Sequence, residues 1–146
     1  MNQPIQDYAS VGLVHFMLYK DNIKGEGDFS SVSTILDDPY FGAMEMSWVK
    51  DDAERAKVAG LIKKSGKKVA FGAQPVLLTQ KLDINHLDEA ERKKAVDAVL
   101  GVIPQAAEIG ASGFGLLSGK TVGPEKKDQA MEQLVKSLVE IGTELK

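Results

Sequence analysis

"GAMEMSWVKDDAERAKVAGLIKKSGKKVAFGAQP", residues 42–75, holds one complete strand–helix–strand unit. "GAMEMSWV" (42–49) and "KVAFGAQP" (68–75) are short apolar runs bounded by Gly, Pro or charge, as buried strands are. Between them Asp51 stands where a helix cap belongs, with Glu54 three residues on. Lys63, Lys64 and Gly66 mark that helix's end. Two buried strands joined through a helix of this length pair in parallel, because a crossover is what a parallel pair requires.

The same grammar extends in both directions. "VGLVHFML" (11–18) reads as a first strand and "SGFGLLS" (112–118) as a fourth. A short helix fills 28–38 and stops before Pro39. A longer one fills 88–110, with Asp88 and Glu91 in capping-box spacing, Gly110 as its stop and Pro104 predicting a kink or break. The last opens at Pro124 and runs to the chain end, with Met131, Leu134, Val135, Leu138 and Ile141 on one face. The pattern is β-α-β-α-β-α-β-α, an α/β fold of four parallel strands alternating with helices in a single domain, 1–146.

Composition narrows the function. The 146 residues are 43% hydrophobic and 27% charged, with net charge −3, which suits one globular domain with a core. That balance gives no basic surface for nucleic acid. No cysteine is present, which excludes disulfides, thiolate zinc sites and cysteine nucleophiles. No run reaches 18 apolar residues, and no secretion signal opens the chain, so the expectation is a cytoplasmic protein away from membranes.

Polar residues near the strand ends are the candidate binding groups. His15, Glu45 and Gln74 end the first three strands and Ser118 the fourth. A polar side chain in a strand covered on both faces costs free energy unless it has a partner. Glu45, between Met44 and Met46, demands a cation, a metal or a proton if buried; the alternative is an exposed edge-strand glutamate bonded to a neighbouring lysine. "SGKT" (118–121) fails the P-loop spacing, which would need glycine at Phe114. A glycine turn leading to a helix still offers Ser118, Gly119 and Lys120 to a single phosphate or a sugar hydroxyl. Trp48 reads as packing, His86 as surface and the charges of 89–94 as a solvated helix face.

These segments together resemble the xylose isomerase-like TIM-barrel superfamily, in its sugar phosphate isomerase/epimerase branch. The resemblance rests on "VGLVHFMLY" as first strand, "AMEMSWV" with its glutamate as second, "LDEAERKKAVDAVLGVIPQAAEIGAS" as third helix, and "LLSG" ending the fourth strand. It implies the (βα)4 half of a TIM barrel. It implies metal-assisted isomerisation or epimerisation of a small sugar or sugar phosphate, with His15, Glu45, Gln74, Ser118, Gly119 and Lys120 on the substrate side. A divalent Mn or Mg ion is expected for a full-length relative, held by later strands, so no metal ligand and no catalytic residue is assigned to this chain. A whole (βα)8 barrel takes about 250 residues. Three arrangements therefore stay open: the N-terminal half of a longer barrel, a homodimer closing one, or an open flavodoxin-like sheet. The isolated chain is expected to be inactive, with a non-catalytic self-associating half-barrel or sugar-binding module as the alternative.

Overall fold

The computed structural model describes residues 3–145. The chain divides into two compact units: the residues up to Gly72 with Gln105–Gly115, and Ala73–Pro104 with the residues from Leu116 on.

The first unit contains the sheet. Strands β1 (Gly12–Val14), β2 (Ala43–Met46), β3 (Lys68–Gly72) and β4 (Phe114–Gly115) are all parallel and lie in the order β1-β2-β3-β4. Every crossover therefore steps one strand in the same direction, as in a barrel wall. A flavodoxin-like sheet reverses direction after its first crossover, so the observed order is not the flavodoxin-like one. It also makes β2 an interior strand, so Glu45 is no edge-strand residue.

The strands are shorter than their apolar runs. β1 stops at Val14 because the next four residues close a helical turn, α1 (His15–Leu18), with Tyr19 N–H donating to His15 O at 2.8 Å. β3 stops at Gly72 because Pro75 sits in the first turn of a helix, where its missing N–H costs nothing.

The two faces of the sheet differ. Register aligns Leu13, Met44 and Val69, and next to them Met46, Phe71 and Phe114. Met44, Met46, Val69 and Phe71 are buried, and the rings of Phe71 and Phe114 stack 5.4 Å apart. With Val32, Ile35 and Leu36 of α2 (Ser31–Asp37) and Val58 and Ile62 of α3 (Asp52–Ser65), they form the unit's apolar core. The other face carries Gly12, Val14, Ala43, Glu45, Lys68, Ala70, Gly72 and Gly113. A Cβ on Gly12 would meet the Ala43 methyl at 3.2 Å, and one on Gly113 would meet Ala70's at 3.8 Å, which confirms the shared face. Met44, Met46 and Phe71 thus lie on the covered face, not on an apolar barrel interior.

α3 begins as its sequence dictates: Asp51 Oδ1 accepts from Glu54 N–H at 2.8 Å, and Gly66 closes the helix with φ 68°.

The second unit is helical: α4 (Gln74–Gln80), α5 (Glu89–Leu100) and α7 (Lys127–Glu144). The predicted break near Pro104 falls at Gly101–Val102, and α6 (Ile103–Glu108) restarts with Pro104 in its first turn. The carboxy-terminal half of α6 returns to the first unit, where Gln105 Oε1 accepts from Val49 N–H at 3.0 Å and Glu108 pairs with Arg55 at 2.6 Å. α7 ends at Glu144, and Lys146 lies outside the described residues.

Arg92 belongs to the charge run read as solvated, yet it is only 1% exposed. Its guanidinium donates to Glu89, to Glu140 on α7 at 2.8 Å and to Ser137 Oγ at 2.8 Å, while Ser137 Oγ donates to Ile84 O at 2.7 Å. The two carboxylates hold its pKa above the ordinary arginine value. These bonds turn Gln133 and Ser137 inward with Ala130 and Ile141, and leave Met131, Val135 and Leu138 exposed.

Phe71 is fully buried beside Met46 and Phe114, so Phe71→Ala is expected to cost about 3–5 kcal/mol of stability. Urea unfolding checks this; a loss near zero would show that the large-residue face is not the core.

Candidate functional site

His15 is placed by the helical turn that ends β1. It is 1% exposed, and its ring stacks on Tyr19 and Phe29 at centroid distances of 5.1 and 5.8 Å. Nε2 lies 2.9 Å from Ser31 Oγ, at the start of α2. Burial among aromatic rings disfavours the cation and pushes the pKa down from 6.5 to about 4. The imidazole is therefore neutral at pH 7, and with its proton on Nδ1 the Ser31 hydroxyl donates to Nε2. Ser31 in turn lines a cavity of about 560 Å³ in the first unit, together with Tyr19, Asn22, Asp28 and Ser30. His15 thus reaches this cavity through Ser31.

Glu45 stands on the small-residue face, in register with Val14 and Ala70, and is half-buried. Beside its strand end, Ser47 Oγ donates to Gly72 O at 2.6 Å and ties β2 to β3. Around Glu45 the sheet presents Val14, Ala43 and Ala70.

The other four candidates belong to the second unit. Gln74 is the first residue of α4 rather than the end of an extended strand. Ser118, Gly119 and Lys120 lie beyond β4 and share one cavity of about 620 Å³ with Asn85, Thr121 and Lys127. Asn85 Nδ2 donates to Lys120 O at 2.8 Å, and Lys120 Nζ pairs with Asp83 at 3.1 Å. Gly119 has φ 108°, and a Cβ there would overlap the Asn85 carboxamide, so glycine is required for this loop to close over Asn85. The structure thus brings three of the six sequence candidates into one cavity. It adds Ser31, Asn85 and Thr121, which the sequence reading passed over.

Trp48 packs: its indole N–H donates to Ile23 O at 3.0 Å, and its ring lies under Gly25. His86 is exposed and accepts from Asp88 N–H at 3.1 Å.

A divalent ion needs several hard oxygen donors around it. Among the described residues no three His, Cys, Asp or Glu side chains converge to hold a metal, and His15 Nε2 already faces Ser31. The described residues assemble no set that fits the ion. Among the described residues, too, no helix is long and apolar enough to cross a membrane.

The depressed pKa of His15 predicts a pH dependence. Between pH 6.5 and about 4 the unfolded chain takes up a proton that the folded chain refuses, so stability falls as pH drops through that window. Urea unfolding at pH 7 and pH 5 should show a smaller loss for His15→Gln than for the wild type; equal losses would mean His15 is not held neutral.

No family model matches the chain, and no curated protein matches it. Among solved structures it is similar to a D-psicose 3-epimerase from Clostridium cellulolyticum H10, crystallised with D-tagatose, at TM-score 0.63 and 14% identity. The match covers 94% of this chain and 48% of that one, so the chain has the fold of about half of a TIM-barrel enzyme.

Proposed function

We propose that this chain is the N-terminal half of a sugar isomerase/epimerase-like TIM barrel, which binds a small sugar or sugar phosphate and does not turn it over alone. One observation carries the reading: four parallel strands in sequential order match half of a sugar epimerase over 94% of the chain. The placement of Ser118, Gly119 and Lys120 after β4 supports it, because barrel enzymes bind ligands in the loops that follow the strands. In this reading Ser118 and Thr121 hydrogen-bond sugar hydroxyls and Lys120 holds the far end of the ligand. In the first unit, Ser31, bonded to His15, and Glu45 offer polar groups of their own. The complete barrel takes its second half from a C-terminal segment or a second copy. A cytoplasmic setting belongs to the same reading.

The test is calorimetric titration of the purified chain with D-psicose, D-tagatose and a sugar phosphate, with and without Mn²⁺, alongside an epimerase assay. Expected are binding independent of metal and no turnover. Gly119→Ala, which displaces Asn85 from the loop, should weaken binding about tenfold, a loss of about 1.4 kcal/mol. Turnover by the chain alone would overturn the inactive half-barrel, and no binding by any sugar would overturn the whole reading.

A further inference from the structure

α7 turns its stronger apolar side away from its own unit. Facing inward are Ala130, Gln133, Ser137 and Ile141, of which Ile141 alone is large and apolar. Facing out are Met131, Val135, Leu138 and Val139, 51, 53, 44 and 65% exposed. They recur at helical spacing and form one stripe. Such an arrangement inverts what water favours, so the stripe is surface that the unit's own folding leaves unused.

Its size and rim indicate what covers it. Four large side chains about half exposed give on the order of 400 Å², the size at which exposed patches mark interaction sites. Along one flank Asp128, Glu132 and Lys136 border Met131 and Val135 in a shallow groove. With that rim the surface approaches the roughly 800 Å² per partner of a standard interface.

We infer that α7 docks antiparallel on α7 of a second copy of this chain, about a twofold axis crossing near Val135. Such an axis sets each flank against the same flank reversed. Met131 of one copy then meets Leu138 and Val139 of the other. Glu132 of each comes within side-chain reach of Lys136 of the other, so the contact carries two equivalent ion pairs around an apolar centre. A parallel pairing sets those charges against the opposite, apolar flank and loses both. The contact uses neither strand edges nor sugar-binding residues other than the cavity-lining Met131, and it stands independently of the sugar reading.

Sedimentation of the full chain over about 1–100 μM tests it. A monomer–dimer equilibrium is expected. Val135→Glu should weaken it at least tenfold. Glu132→Lys and Lys136→Glu should each weaken it several-fold, and the double swap should restore it. All three positions are exposed, so the variants keep the fold, which circular dichroism verifies. A monomer at every concentration overturns the inference and leaves the stripe to another protein. A dimer indifferent to Val135→Glu overturns it too, as does one sensitive instead to changes at the β1 or β4 edge, and so does a double swap that restores nothing.

Discussion

The difference between the two faces of one parallel sheet governs the first unit. Met44, Met46, Val69 and Phe71 fill the space on one side, each nearly removed from water. The other side carries Ala43, Ala70 and glycines, with Val14, Glu45 and Lys68 standing on it. Burial of the large side chains gives the sheet its stability, and it needs no contribution from the small face. TIM-barrel interiors are normally filled by bulky branched side chains in layers. On the small face Val14 is the branched apolar side chain among Gly12, Ala43, Ala70 and Gly72, beside the charged Glu45 and Lys68.

In the second unit a buried charge sits beside an apolar core that includes Val76, Leu77, Ile84, Val96 and Val99. Arg92 is stripped of water and recovers the loss only because Glu89, Glu140 and Ser137 all reach it. A buried guanidinium with fewer partners is strongly destabilising. The network therefore fixes how α7 rotates about its own axis. Once Ser137 bonds Ile84 O and Arg92, Val135 and Val139, each two residues from it and so on the opposite side of the helix, have to face outward. The exposed stripe on α7 is thus a consequence of polar satisfaction inside the unit.

What was legible in the sequence follows the range of the interactions. Asp51 and Asp88 as helix caps, and Gly66 and Gly110 as helix ends, depend on backbone groups a few residues away, and they stand where the spacing put them. The parallel alternation was legible for the same reason. Strand ends were not: "HFML" is apolar whether extended or helical, and only the closed turn places His15 beyond β1. Pro75 read as the end of a strand, although proline starts helices equally well, so α4 was missed. Arg92 looked solvated because its deciding partners, Ser137 and Glu140, lie 45 and 48 residues away. Nothing local marks Ser31 as the partner of His15; two adjacent serines at a helix start were the available hint.

The candidate site inherits this division. Ser118, Gly119 and Lys120 are shaped by a local clamp, Asn85 on Lys120 O and Asp83 on Lys120 Nζ, that closes within one unit and needs no second half. Glu45 is different: it rises from the small face of a strand wall whose β1 and β4 edges are both open. A wall of this kind holds a ligand from one side only. Binding tolerates that, because hydroxyl contacts add up individually. Catalysis does not, since reacting groups have to be held in register around the substrate. On the proposed reading, recognition and chemistry therefore part along the chain: this half retains groups that recognise a sugar, while the groups that would act on it have to come from the opposite wall.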